Sequence, residues 1–474
     1  MKLLKRLLKI ISILAGLLLI AILVILLIDS NNTSFLKPDS EASSLLLVKN
    51  VNIIPMTSDT VLYHKDLLIE NGKISRIADS INETEAEILE GNNRFLLPGL
   101  IDMHVHVWDK YELGLYLANG VTSVRNLWGI PMHLRLKEAI NSGNMIAPEF
   151  FTSGPKLTGP EFIGDDNLQL TTVEEAKAKV SSYKERGYDF IKTYYGLTPD
   201  LYDAILEQAE LSNMDVVAHA SQNVDYTYHF NPQIASIEHT EDIVQLPLDF
   251  KMDTLELQKI VDDFIASPHT SFCPTLTVFN NIHVLLSDKD VLSEDRLKNM
   301  NPLIRMVDSK AQYDRWEYTK FQDSTITERI EAQHNFHLFI VKQLHDNGVR
   351  IICGTDAGIG ITEPGRSIHQ EMAFYKEAGL SNYEVLKTAT ANPGKTHKLM
   401  QNLGTVEVGK HANLLLVETD PTEDLKTLET PTYVLIKGMV LNQQKLNLFK
   451  EKAADRNNLI PTALRYAENL WIEK

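Results

Sequence analysis

Cysteine is almost missing from this chain: 474 residues hold two, Cys273 and Cys353, each inside an apolar run. A disulfide framework is thereby excluded, and buried free thiols are the expectation. Positive charge is also short, with 46 Lys and Arg against 63 Asp and Glu and a formal net charge of -17. A phosphate-backbone partner shows as a clustered basic surface, so nucleic acid is set aside. No internal repeat is visible beyond an alternation of strand and helix patterns. Core-forming material is not short. At 44% hydrophobic, the chain can build one large domain and a smaller accessory one.

One long apolar run stands at the start. Lys2, Lys5, Arg6 and Lys9 precede an uncharged stretch from Ile10 to Ile28. At ~1.5 Å per residue, a helix of this length nearly spans a ~30 Å hydrocarbon core. A cleavable signal sequence is the alternative, but the run exceeds the usual ~7–15 residues and no A-x-A site follows it. Basic residues on the short side favour a cytoplasmic N-terminus, which puts everything after Asp29 outside, as a single-pass membrane protein or, after cleavage, a secreted one. No cysteine follows the run, so a lipidated anchor is excluded. Residues 29–44, with DSNNTS and KPDSEASS, read as a polar linker.

Two distant segments share a strand-and-turn pattern. LLLVKNVNIIPM and DLLIENGKISRIA lie within 45–94, while GTVEVGKHANLLLVETD and TPTYVLIKGMVLN lie within 404–445. Alternating apolar residues bounded by Asn-Gly, Gly-Lys and Lys-Gly indicate antiparallel strands, read as two parts of one small β-sandwich. Between them, over 95–403, short apolar runs alternate with amphipathic helical stretches, the mark of βα units. FLLPGLIDMHVH, VTSVRNLW, PEFFTSGPKL, FIKTYY, VVAHA, ASIEHT, TSFCPTL and RIICGTDAG supply the strands of a (β/α)8 barrel. A charged, helical insertion from Val278 to Asn347 separates the last two and sits above the active face as a lid or substrate wall. Residues 446–474 look helical, without an assignable role.

Alternate residues on a strand point the same way, so His104 and His106 in IDMHVH present two imidazoles to one side. Alone the pair is weak evidence. The odds change because ligand-type residues recur at other strand ends: Lys192 in FIKTYY, His219 in VVAHA, His239 in SIEHT and Asp356 in ICGTDAG. Barrel enzymes build their sites from that face. A single histidine among these is more often a hydrogen-bonded interior residue, and Asp356 alone could be a turn residue. Lys192 asks for its own explanation, because an ammonium at the inner end of a buried strand is expensive unless paired. Addition of CO2 to its nitrogen makes a carbamate whose two oxygens can bridge two metal ions.

FLLPGLIDMHVH, the histidines of VVAHA and SIEHT, GTDAG and the closing ATANPGKTHKL…GTVEVGKHANLLLVETD strongly resemble the amidohydrolase superfamily. The resemblance runs from residue 45 to 445. VTSVRNLWG, FIKTYYG and GRSIHQEMAFYKEAGLSNYEVLKTATANP look most like its imidazolonepropionase-like and bacterial Xaa-Pro dipeptidase (prolidase) branch. It implies that His104, His106 and Asp356 hold one divalent metal ion, His219 and His239 a second, and carboxylated Lys192 bridges them. Imidazole and carboxylate ligands suit Zn2+, with Mn2+, Co2+ and Fe2+ compatible. Asp356 becomes the general base toward a metal-activated water and then the acid toward a leaving nitrogen.

Departures from the family narrow the activity. Its aromatic deaminases carry H-x-x-E after strand five, whereas His219 is followed by Ala220, Ser221 and Gln222. Imidazolonepropionases resemble those deaminases in using one metal and lacking the strand-four lysine, so Lys192 points to the two-metal, prolidase-like side. The expectation is a hydrolase of small amides, such as Xaa-Pro dipeptides or N-acyl amino acids. Lactonase, phosphotriesterase and cyclic-amide activities are the alternatives, and a non-catalytic tethered binding protein is the reading from another class. Tyr195, then Tyr194, Arg125 and His369 are candidate substrate contacts. Each has a competing structural role, strongest for Arg125 as a buried ion pair. His133, His229 and His269 lack a ligand-type context. A homo-oligomer is compatible with the family.

Overall fold

A computed structural model describes residues 2–38, 43–160 and 167–473. The barrel strands are Leu100–Val105, Val121–Asn126, Glu149–Thr152, Phe190–Thr193, Asp215–Ala218, Ile234–Glu238 and Ser271–Cys273, with the eighth entering at Ile351. Strands one to three form one parallel sheet and strands four to seven part of another. Isolated parallel bridges Ser153–Phe190, Phe272–Ile351 and Val105–Ala357 close the ring. Strand eight is irregular but bonded on both sides: Ile352 N donates to Phe272 O, and Met103 N to Cys353 O. An (β/α)8 barrel follows, with Val124, Ile191, Val216, Ile237 and Ile351 in its buried core.

Local chemistry starts and stops the helices around it. Asp109 caps Lys110–Ala118 by accepting from Glu112 N, and Thr172 and Glu175 form a capping box ahead of Val173–Arg186. Gly187 ends that helix at φ 95°, a left-handed conformation open to glycine at no steric cost.

The small domain draws on both ends of the chain. Its strands are ordered Met439–Asn442, Tyr433–Ile436, Leu414–Val417, Phe95–Pro98, Leu45–Ile53, Leu62–Glu70 and Lys73–Ala78, with Glu87–Glu90 also pairing with Leu45–Ile53. All eight share one hydrogen-bonded sheet. It curls around its own core of Val48, Val51, Ile69, Leu96, Leu414 and Leu435, helped by bulges in Leu45–Ile53. The run FLLPGLIDMHVH is thus two strands rather than one: Leu96 and Leu97 pair with Leu416 and Leu415, and the barrel begins at Leu100.

The insertion after strand seven contains helices Leu276–Ser287, Lys310–Gln322 and Ile326–Asp346. Glu371 fastens its start by accepting from Leu276 N at 2.9 Å and Thr277 N at 2.7 Å. Asp308 fastens its middle to the loop after strand eight, accepting from Gly360 N at 2.6 Å.

The linker after the N-terminal helix departs from the sequence reading, and the helical C-terminal segment gains a place in the fold. The N-terminal helix runs from Lys2 to Asn32, and the chain then docks instead of trailing as a polar linker. Asp29, Thr33 and Leu36 are buried, and Leu36 O accepts from Ile146 N; residues 39–42 of that segment lie outside the described residues. The C-terminal segment forms helices Gln443–Ala454 and Leu459–Ile472 packed on the barrel. Arg456 beneath them is buried against Asp109 at 3.2 Å.

Candidate metal centre

Strand one brings His104 and His106 to the C-terminal mouth of the barrel, their rings stacked with centroids 5.7 Å apart. Asp102, two residues earlier on the same strand, organises the facing loop: it accepts from Thr355 Oγ1 at 2.7 Å and Thr355 N at 3.1 Å. That holds the turn in which Asp356 takes a left-handed φ of 57°. Asp356 N donates to His104 O, and Asp356 Oδ1 comes to 2.8 Å from His106 Nε2 and 3.3 Å from His104 Nε2. Both glycines of GTDAG are required here. A Cβ on Gly354 would meet Cys273 Sγ at 2.4 Å, and one on Gly358 would meet His106 O at 1.9 Å.

Strand six delivers two neighbours to the same space. Ser236 and Glu238 follow the inward alternation, and His239 would face outward but for its φ of 69°, which turns it back. Its ring lies 4.8 Å from that of His104 and 4.5 Å from that of His219. Ligand atoms of His104, His239 and Asp356 fall within 4.8 Å of one another, and all three residues are buried.

Beneath them lies a satisfied polar network. His104 Nδ1 donates to Glu238 Oε2 at 2.8 Å, which leaves Nε2 for the mouth. Glu238 Oε1 accepts from Arg125 Nη2 at 2.8 Å and Ser236 Oγ at 2.5 Å. Arg125 also donates to Met103 O at 2.6 Å and to His397 Nε2 at 2.9 Å, and His397 Nδ1 donates to Asp215 at 2.7 Å. The guanidinium holds Glu238 well below the usual carboxylate range despite burial.

The other side of the mouth is unsatisfied. Among the described residues, Lys192 Nζ and both ring nitrogens of His219 are buried without a hydrogen-bond partner. His219 Nε2 comes no nearer than 3.4 Å to Asp242 Oδ2, and Lys192 is 1% exposed. Burial lowers Lys192 to about 8 and His104 to about 4, and pushes His219 and His239 well down. Asp356 is held well below its ordinary value by the His104 and His106 imidazoles, against the opposing effect of burial. Neutral imidazoles, an ionised carboxylate and orphaned buried nitrogens are the donor set a divalent cation takes, so the residues present fit a metal.

The remaining candidates separate. Tyr194 and Tyr195 flank His219 with centroids 4.3 and 4.4 Å away, both half-buried at the mouth. Arg125 does not reach the mouth; its donors are spent on Glu238, Ser236, Met103 and His397 in a fully buried position, so it is the structural ion pair and not a substrate contact. His369 is also placed elsewhere. It sits on the outer helix Ser367–Glu377, with Nε2 donating to Asn119 O at 3.0 Å. His133 and His229 are buried with both nitrogens bonded, and His269 is exposed.

Sequence reasoning missed Glu238, Thr275, Asp242 and Lys156. Thr275 Oγ1 lies 2.9 Å from His239 Nδ1. Asp242 is buried behind His219, its carboxyl pushed well up by burial. Lys156, in the second half of PEFFTSGPKL, is 7% exposed with Nζ 4.6 Å from the Tyr194 ring centroid. Lys156 opens the short strand Lys156–Thr158 beyond barrel strand three, and a buried lysine in an apolar run, the signal that singled out Lys192, was there to be read.

Comparison with known proteins agrees with this geometry. The bottromycin amidohydrolase superposes with a TM-score of 0.72 at 21% identity, covering 90% of this chain and 95% of that one. A putative prolidase from Bifidobacterium longum gives 0.66 at 21%, covering 87% and 99%. In sequence, a 5-methylthioadenosine/S-adenosylhomocysteine deaminase from Caldicellulosiruptor saccharolyticus is 22% identical over 447 residues, 85% of this chain and 90% of that protein. A dihydroorotase from Carboxydothermus hydrogenoformans is 42% identical over 64 residues, so the chain spans only 15% of that relative's length. Residues 95–441, well over half the chain, match the model of the Amidohydrolase family. The chain belongs to the Amidohydrolase family and is, on that membership, a hydrolase of carbon–nitrogen bonds.

Proposed function

We propose that this amidohydrolase cleaves amide bonds in small carboxylate-bearing substrates, Xaa-Pro dipeptides or N-acyl amino acids, at a two-metal centre. One observation carries the reading: buried His104, His239 and Asp356 converge while Lys192 and His219 present orphaned nitrogens to the same mouth. His104, His106 and Asp356 would hold one ion, His219 and His239 the other, with a carbamate on Lys192 between them. Lys192, lowered to about 8, is close enough to neutral for its free amine to add to CO2, giving the carbamate and one proton. Zn2+ suits the ligand set. When bound, the ions polarise the scissile carbonyl and bring the pKa of a water toward ~7.

The chain's own groups do the rest. Asp356 accepts the proton of the attacking water and returns it to the leaving nitrogen, so one water is consumed and an acid and an amine are released. Lys156 supplies the positive charge and Tyr195 the hydroxyl that orient a substrate carboxylate. Trp128, 6.4 Å from the His106 ring, with Trp108 tilted against it at 4.0 Å, walls off water on the far side. The N-terminal helix, long and apolar enough to cross a membrane, acts as a single-pass anchor that holds the catalytic domain outside the cytoplasm.

A second reading, deamination, draws on Asp242: an acid absent from the residues after His219 arrives beside it from the helix Thr240–Gln245 that follows strand six. The test is metal content by plasma mass spectrometry on the full chain, purified in detergent without chelator. It is run beside a panel of Xaa-Pro dipeptides, N-acyl amino acids, lactones, phosphotriesters and adenosine-type amines. Near two metals per chain with turnover of the first two classes is expected. Turnover of the amines alone moves the assignment to deamination, and no metal after loading with zinc and bicarbonate overturns the centre.

A further inference from the structure

The C-terminal helix, Leu459–Ile472, is polarised the wrong way for a helix in water. Its charges are engaged by the protein, with the Glu468–Arg135 pair at the surface. Arg465 pairs with Asp29, Glu468 accepts from Arg135 at 2.8 and 2.6 Å, and Glu473, just beyond the helix, accepts from Arg186 at 2.6 Å and Tyr188 at 3.1 Å. Thr462 and Asn469 are buried. The exposed residues are Ile460, Ala467, Leu470, Trp471 and Ile472, and Trp471 is 86% exposed. Ile460, Leu464, Ala467 and Trp471 stand at i, i+4, i+7 and i+11, one stripe down one face. A surface helix normally spends its charges on solvent and its apolar stripe on the core.

Its neighbour indicates what covers the stripe. The N-terminal helix packs against the C-terminal helix, and Ile22 and Leu26 share a crevice with Leu464, Met132 and Leu136. Leu26 lies in the last turn of the apolar run that ends at Ile28, and Asp29 begins the polar side. With that run across a bilayer, Leu464 sits level with the outer edge of the hydrocarbon. Trp471 is two turns further along the same stripe. Lys110 lines the crevice beside the Arg135–Glu468 pair and Arg465, which puts basic groups where lipid phosphates would lie. Tryptophan beside basic residues is the side-chain chemistry of that boundary.

We infer that the exposed stripe of the C-terminal helix rests in the headgroup–acyl boundary of the bilayer that the N-terminal helix enters. The inference rests on that helix being membrane-inserted. The protein then touches the membrane twice, by a span and by a helix lying along the surface, and the barrel is held at one tilt.

The full chain, reconstituted into phosphatidylcholine vesicles with or without brominated acyl chains, tests this through tryptophan fluorescence. Trp128 is buried and Trp108 and Trp316 are partly covered, so the difference between wild type and Trp471→Phe reports Trp471. Brominated lipid should remove most of that difference signal, and acrylamide in the water should remove little. A Trp471 signal untouched by brominated lipid and open to acrylamide overturns the inference. One shielded from both assigns the stripe to a second copy of the chain and overturns it as well. Alkaline carbonate washing separates the two levels: a chain that stays with the vesicles while Trp471 remains unquenched loses only the surface helix, whereas one that washes off loses both contacts.

Discussion

The two sides of the barrel mouth are built on opposite terms. On the side of strands one, six and eight, three of the ligand candidates are braced: His104 by Glu238, itself held by Arg125 and Ser236, His239 by Thr275, and the Asp356 backbone by a turn pinned to Asp102. On the side of strands four and five, Lys192 Nζ and the His219 ring nitrogens are buried with no hydrogen-bond partner among the described residues. Buried polar atoms without partners cost stability, so a protein keeps them where a ligand completes them. One side is braced by the protein's own groups, and the other is left for what the proposed metal and CO2 would supply.

Breaking the braced side should cost most. Arg125→Met leaves Glu238 charged and unpaired in a dry interior, which lowers stability by about 3–5 kcal/mol in denaturant melts of the metal-free protein. A loss under 1 kcal/mol would show that the network is not holding the site. The waiting side should respond with the opposite sign. Lys192→Met removes an orphaned amine and should raise metal-free stability by about 1–3 kcal/mol while abolishing turnover. Lys192→Ala should lose at least one metal equivalent, with small carboxylic acids restoring part of both binding and activity. Full occupancy and normal turnover in that variant would sink the carbamate.

Thr275→Val is milder, since it removes only the partner of His239 Nδ1. Metal affinity should fall about 10–100-fold, read by competition with a chromogenic chelator. Away from the mouth, a pH effect runs beneath all of these. Burial holds His229 at about 4 and His337 at about 3, against an ordinary 6.5. Both are neutral when folded, and the unfolded chain takes protons first as pH falls. Their contribution to stability is therefore full above pH 6.5 and declines toward pH 4, by about 1.4 kcal/mol per histidine per pH unit. Stability that stayed flat from pH 7 to 4.5 would contradict this.

Much of the fold was legible because barrel strands announce themselves as short apolar runs at regular spacing. The mouth was legible where period-two alternation holds, as at His104 and His106. It was not legible where the backbone breaks that rule: Glu238 and His239 are adjacent in sequence, and only a left-handed residue brings both to one site. Asp242 escaped a search confined to the residues after His219, because it comes from the helix after the neighbouring strand. Arg125 read as a candidate contact and as a buried ion pair alike, since one residue does not disclose which carboxylate it meets. The stretch after Asp29 looked like a tether from its polarity. Its docking depends on Arg465, 436 residues away, a pairing that no local pattern records.

The last helix has a consequence for anyone shortening this chain. Tyr466 lies 6.0 Å from Trp108 and 6.4 Å from Trp128, and Asn301 of the insertion donates to Thr462 and to Asp109. Trimming after residue 445 looks harmless on a sequence map, yet it strips the cover from both tryptophans and removes the cation opposite Asp109. The same helix carries the outward stripe and the inward tyrosine, so its residues answer to two selections at once. A change that suits one face is inherited by the other, and the tail of this protein cannot drift as tails ordinarily do.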